Sequence, residues 1–127
     1  MGGEAPEAPH VIYQRDIQIA AEYLKKAKTV GDVQEVLQSF IDSHKSYLVV
    51  DDEAAELTAP KALRLESKSP PETPVDMQIP FTLHITRNDG EERARDMDFK
   101  RVGNEISRHD VSDFMDRLVE NWRFESM

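Results

Sequence analysis

Cysteine is absent from this chain of 127 residues. Its absence excludes a disulfide framework, thiol catalysis and thiolate zinc sites, and it fits a reducing, cytoplasmic compartment. Long apolar runs are also missing, and nothing approaches the ~20 residues of a membrane span. The opening MGGEAPEAPH has no basic n-region and no apolar h-region, so it does not read as a signal peptide. Pro6 stands where a myristoylation signal places Ser or Thr. Glycine is scarce. Two of the five glycines sit in the opening tail, and Gly31, Gly90 and Gly103 are isolated. No phosphate loop or dinucleotide motif can be built from them, and there is no Gly-x-Ser-x-Gly elbow.

Positive charge is in deficit, with 16 basic against 25 acidic residues and a net charge of −9. Binding phosphates needs a surplus of Lys and Arg, so direct nucleic-acid binding is disfavoured. An anionic membrane surface is disfavoured for the same reason. The excess acid serves solubility first. It also suits a basic protein partner.

What is present reads as one domain. A chain of this length can bury about two-thirds of its unfolded surface, enough for a core without metal or disulfide staples. Residues 1–11 are rich in Gly, Ala, Pro and Glu and read as a disordered tail. From position 12 the pattern is helical to about Lys28, with Ile17, Ala20, Ala21, Leu24 and Ala27 on one stripe. Thr29 and Asp32 then form a capping-box start for a second helix, whose stripe is Val33, Val36, Leu37, Phe40 and Ile41. The short link predicts a helical hairpin or an angled pair.

SYLVVDD is a β-branched run that predicts a strand at 46–50, and KALRLES alternates as a second strand. The stretch at 67–74 holds Pro70, Pro71 and Pro74 and is a loop. Val75, Met77, Ile79, Phe81, Leu83 and Ile85 then alternate with polar residues, the signature of a half-buried antiparallel strand. Pro80 cannot donate to a ladder, so it predicts an edge or a bulge there. Asn88-Asp89-Gly90 is turn chemistry, and Met97 and Phe99 alternate beyond it, so residues 81–102 read as a β-hairpin. The expected order is α-α-β-β-β-β-α. That is an α+β two-layer domain, with an N-terminal helical pair, an antiparallel sheet of about four strands and a C-terminal amphipathic helix.

The stretch SRHDVSDFMDRLVENW looks at first like a set of metal or acid-base ligands. Ser107 and Asp110 instead have capping-box spacing, and acids at a helix start are favoured by its dipole. Val111, Phe114, Met115, Leu118, Val119 and Trp122 form one buried stripe, leaving Asp113, Asp116 and Glu120 on the wet side. Adjacent helical residues diverge by about 100°, so His109 and Asp110 chelate one ion poorly. RNDGEERARDMD lacks the acid spacing and helical flanks of a calcium loop. Neither a metal nor another cofactor is expected.

Partner-binding candidates remain. Thr82, His84 and Thr86 form a polar row opposite the apolar sheet face, beside Asp96, Asp98 and Lys100 of the next strand. Asp51, Asp52, Glu53 and Glu56 are the one dense acidic run. Phe124 is an aromatic near the C-terminal end that lies off the helical stripe, a possible docking anchor. With no catalytic constellation in view, the reading is a non-enzymatic protein-binding module: a small acidic adaptor, inhibitor or chaperone-like protein. Its partner would be another protein, basic in one version, and a homodimer is compatible with the sequence. One alternative is an acidic nucleic-acid mimic that blocks a basic partner, although basic residues interrupt the acids nearly everywhere. Another is a small-ligand binder or simple acid-base enzyme with His84 lining a pocket between sheet and helices. Strand addition at an edge marked by Pro80 is a further route to a partner.

Overall fold

The computed structural model describes residues 9–44, 62–87 and 89–126, and the side chains of 14–43, 62–87 and 89–122. Helix α1 spans Pro9–Lys25 and α2 Val30–His44. Strands β1, β2 and β3 span Ala62–Ser67, Gln78–Thr86 and Glu92–Lys100, and helix α3 spans Arg108–Ser126. The fold is α+β, with one antiparallel sheet in the order β1-β2-β3. Three strands lie among the described residues where about four were expected. The fourth, at 46–50, falls outside them.

The helices start where their caps dictate. Helix α1 opens at Pro9, inside the segment expected to be a tail. Proline suits a first helical position, because its missing N–H would be unpaired there anyway. It ends three residues before Lys28, as the amides of Lys26 and Ala27 turn back to the carbonyls of Tyr23 and Leu24. For α2, the amide of Asp32 donates to Thr29 Oγ1 at 3.2 Å, and the amides of Lys28 and Thr29 donate to Asp32 Oδ2. Asp32 is held below the usual carboxylate range, chiefly by the hydrogen bond from the Lys28 amide and then by the Thr29 hydroxyl. The proline-rich loop completes this cap. Thr73 O accepts from the Val30 amide at 2.8 Å, and Pro71 O accepts from the Gly31 amide at 2.9 Å. A Cβ on residue 31 would stand 3.1 Å from both Pro71 Cβ and Pro71 O, so glycine permits the close approach.

Helix α3 answers the question raised by its acidic start. The Ser107 amide donates to Asp110 Oδ2 at 2.9 Å, the Asp110 amide donates to Ser107 Oγ, and the Val102 amide reaches Asp110 Oδ1 at 3.3 Å. Asp110 is buried and occupied as a cap.

One face of the sheet carries the core. Leu63 and Leu65 of β1, Ile79, Phe81, Leu83 and Ile85 of β2, and Met97 and Phe99 of β3 are all buried. They pack with the stripes of the three helices into one cluster. Phe114 of α3 meets Phe99 at 5.5 Å between ring centroids and Phe81 at 6.4 Å, edge-on to the latter. The hairpin between β2 and β3 closes through the Gly90 amide to Arg87 O and the Arg87 amide to Glu91 O. Gly90 has φ +88°, the left-handed conformation that glycine adopts without steric cost.

The position of Pro80 corrects the sequence reading. It lies in β2, the central strand, opposite Asp98 of β3. The Lys68 amide donates to Pro80 O at 3.1 Å, so the hydrogen-bonding side of Pro80 points toward β1. Residue 68 lies just past the end of β1. The missing N–H therefore falls where that ladder has run out, and the β2–β3 ladder loses nothing.

Candidate protein interface

Three surfaces follow from this arrangement: the outer face of the sheet, the groove between α1 and α2, and the edges of the sheet. The outer face brings together much of what the sequence singled out. Thr82, His84 and Thr86 form one row on β2, and they pair with Asp96, Ala94 and Glu92 of β3. Asp98 and Lys100 stand further along, opposite Pro80 and Gln78. On the other side Glu66 pairs with Thr82, and Arg64 with His84.

This face is a lattice of short polar contacts. Lys68 Nζ lies 2.7 Å from Asp96 Oδ1, and Arg64 Nη1 lies 3.0 Å from Glu66 Oε2. His84 Nε2 lies 3.4 Å from Glu66 Oε1, and the Gln78 amide bonds Asp98. The Arg64 guanidinium, with His84 second, holds Glu66 below the usual carboxylate range. His84 thus serves the lattice as a partner of Glu66. It lies on the side of the sheet away from the helices, so a pocket between sheet and helices cannot include it. Among the described residues, no group of three or more His, Asp or Glu side chains is placed to hold a metal ion.

Other sequence candidates stand apart from this face. Asp51, Asp52, Glu53 and Glu56 lie outside the described residues. Phe124 falls within α3, and its side chain is outside the described ones.

The groove between α1 and α2 was not singled out in the sequence. This open groove has a volume of about 470 Å³ and is lined by Ile19, Ala20 and Tyr23 of α1 and by Val36 and Phe40 of α2, with Asp16 and Glu35 also in its lining. Ile19 is 47% exposed and Tyr23 is 62% exposed. These two are an i,i+4 apolar pair standing off the buried stripe of α1, and that offset was a legible signal. A helix needs one stripe for its core, and a second apolar pair is left over.

The two edges of the sheet differ. Along β1, α2 supplies the missing partners. Gln38 Oε1 accepts from the Leu65 amide at 2.7 Å, Gln38 Nε2 donates to Leu63 O at 2.9 Å, and Gln34 Oε1 accepts from the Ser67 amide at 3.0 Å. The side-chain amides do there what a further strand would do. Nothing local in the sequence announced it, because Gln34 and Gln38 are ordinary helix-surface residues until the fold brings β1 alongside. The outer edge of β3 has no such cover among the described residues.

No family model, no curated protein and no solved structure matches this chain. No helix among the described residues is long and apolar enough to cross a membrane.

Proposed function

We propose that this chain is a non-enzymatic protein-binding module, which takes a basic, apolar-anchored segment of another protein into the groove between α1 and α2. The observation that carries this reading is the exposed pair Ile19 and Tyr23 beside Val36 and Phe40, with the Glu35 carboxylate in the same lining. Exposed apolar side chains that converge on a concavity mark interaction sites, and an acid in the lining favours Lys or Arg on the occupant. The net charge of −9 would steer such a partner toward the surface.

The mimic reading receives less support. A nucleic-acid mimic needs unpaired acids in a row, whereas Asp96 and Glu66 of the outer face are held by Lys68 and by Arg64 with His84.

The test is a pull-down from host extract with the wild-type chain and with an Ile19→Asp/Tyr23→Ala variant, washed at low and then high salt. Both side chains are exposed, so the variant is expected to keep its circular dichroism spectrum. The reading expects a stoichiometric protein, retained by the wild type at low salt and lost by the variant. A partner held equally by both would remove the groove from the proposal. The absence of any stoichiometric protein would sink the binding-module reading itself.

A further inference from the structure

The backbone of β3 carries an inference that does not depend on the groove. The hydrogen-bonding side of each strand residue alternates along an antiparallel ladder. The contact from Lys68 to Pro80 O sets the phase on β2, and the Arg101 amide donating to Met77 O at 2.8 Å sets the same phase on the β3 side. Ile79, Phe81, Leu83 and Ile85 therefore exchange hydrogen bonds with Phe99, Met97, Arg95 and Arg93. The alternate residues Glu92, Ala94, Asp96, Asp98 and Lys100 direct their N–H and C=O groups outward, away from β2. Among the described residues this is an open edge, nine residues long. The opposite edge is closed by Gln34 and Gln38.

We infer that the outer edge of β3 is a strand-addition site for an extended, basic segment of a partner protein. Its backbone supplies the hydrogen bonds and its side chains select the occupant. The residues whose backbone points outward are also those on the outer sheet face, where Glu92, Asp96 and Asp98 outnumber Lys100. Lys68 holds Asp96, so the acids left without an ion pair among the described residues are Glu92 and Asp98. An added strand places every second side chain beside this row, so Lys or Arg at alternate positions complements it. A second copy of β3 is the competing occupant. In antiparallel pairing centred on Asp96 it sets Asp96 opposite Asp96, which is destabilising, but also Glu92 opposite Lys100 at both ends, so the test must separate it from a basic partner segment. Arg93 and Arg95 point to the inner face at the start of the same strand, opposite Ile85 and Leu83. Inward charge on an edge strand discourages indiscriminate pairing, so the edge is selective.

The test uses synthetic peptides of about nine residues, the length of β3. One alternates Lys with Val, one alternates Glu with Val, and one repeats the first with its edge-facing amides N-methylated. Binding to the intact chain is followed by amide NMR and hydrogen exchange. The Lys peptide is expected to bind and to slow exchange at the amides of Ala94 and Asp96. The Glu peptide is expected not to bind. The Ala94→Pro variant removes one outward N–H and leaves the β2–β3 ladder intact, because Ala94 and His84 form a non-hydrogen-bonded pair. Its affinity is expected to fall at least about tenfold, in line with loss of a backbone hydrogen bond and a blocked edge. Should that variant not fold, the N-methylated peptide reads the same contact from the other side. Binding that leaves the Ala94 and Asp96 amides unprotected, or that survives N-methylation, would overturn the site. So would failure of the Lys peptide to bind, or a wild-type dimer that Ala94→Pro dissociates.

Discussion

Asp110 shows how a single acid can look catalytic and be structural. It is buried, and both carboxylate oxygens accept backbone amides that would otherwise be unpaired. Desolvation and capping together account for an Asp at that position. Asp116, two turns along α3, is a different case. Partial burial raises its carboxyl above the usual range, and the charges of Asp113 and Glu120 add to the effect. The folded state therefore binds this proton more readily than the unfolded chain does. Stability is lost as pH rises through the raised value, because the ionised form is the disfavoured one. Asp116→Asn is expected to stabilise the protein near pH 7 by a few tenths of a kcal/mol, about the size of a relieved like-charge pair on a helix. Thermal unfolding of both proteins at pH 7 and about pH 3 checks this, since the advantage should vanish where the carboxyl is protonated. A variant less stable at neutral pH would show that Asp116 has a favourable partner.

Helix α2 does more than fill the core. Its buried side holds Val33, Leu37 and Ile41, and its flank closes the edge of β1 through Gln34 and Gln38. Gln38 alone meets both an amide and a carbonyl of that strand. Gln38→Ala leaves those two groups part-buried without partners, and the expected loss is about 1–3 kcal/mol. Urea denaturation measures the loss, and hydrogen exchange at the Leu65 amide should quicken in parallel. If the stability does not change, water replaces the glutamine and the edge is not sealed by it. The same comparison bears on β3, where no side chain plays this part among the described residues. Among the described residues the sheet has one edge sealed by side chains and one without such cover, and the proposed strand addition concerns the second.

Across the whole molecule, α3 ties the sheet to α1. Phe114 sits between Phe81 and Phe99, and Trp122 is buried a little over two turns further along. Because Phe114 touches two of the three strands, its removal should be felt everywhere. Phe114→Ala is expected to cost about 3–5 kcal/mol, the range for emptying a large aromatic site in a core. Trp122 is the only tryptophan in the chain, so its fluorescence reports the unfolding directly. A single cooperative transition shifted to lower urea supports one core, whereas two separated transitions would mean that α3 unfolds by itself.

Much of this architecture is legible residue by residue. The stripes of α1, α2 and α3, the capping boxes at Thr29 and Ser107, the alternation from Ile79 to Ile85 and the turn at Gly90 all depend on neighbours a few positions away. Local dihedral preference, hydrogen bonding and side-chain period decide them, and those are properties of the sequence itself. Only the tertiary structure decided which strand is central, and so moved Pro80 from a presumed edge to the middle of the sheet. It also gave Gln34 and Gln38 their role beside β1, and left the outer side of β3 without such cover among the described residues. These outcomes depend on contacts between residues far apart in the chain. No local pattern encodes them, because a strand's partner is settled by where the hydrophobic faces of the other elements can be buried together.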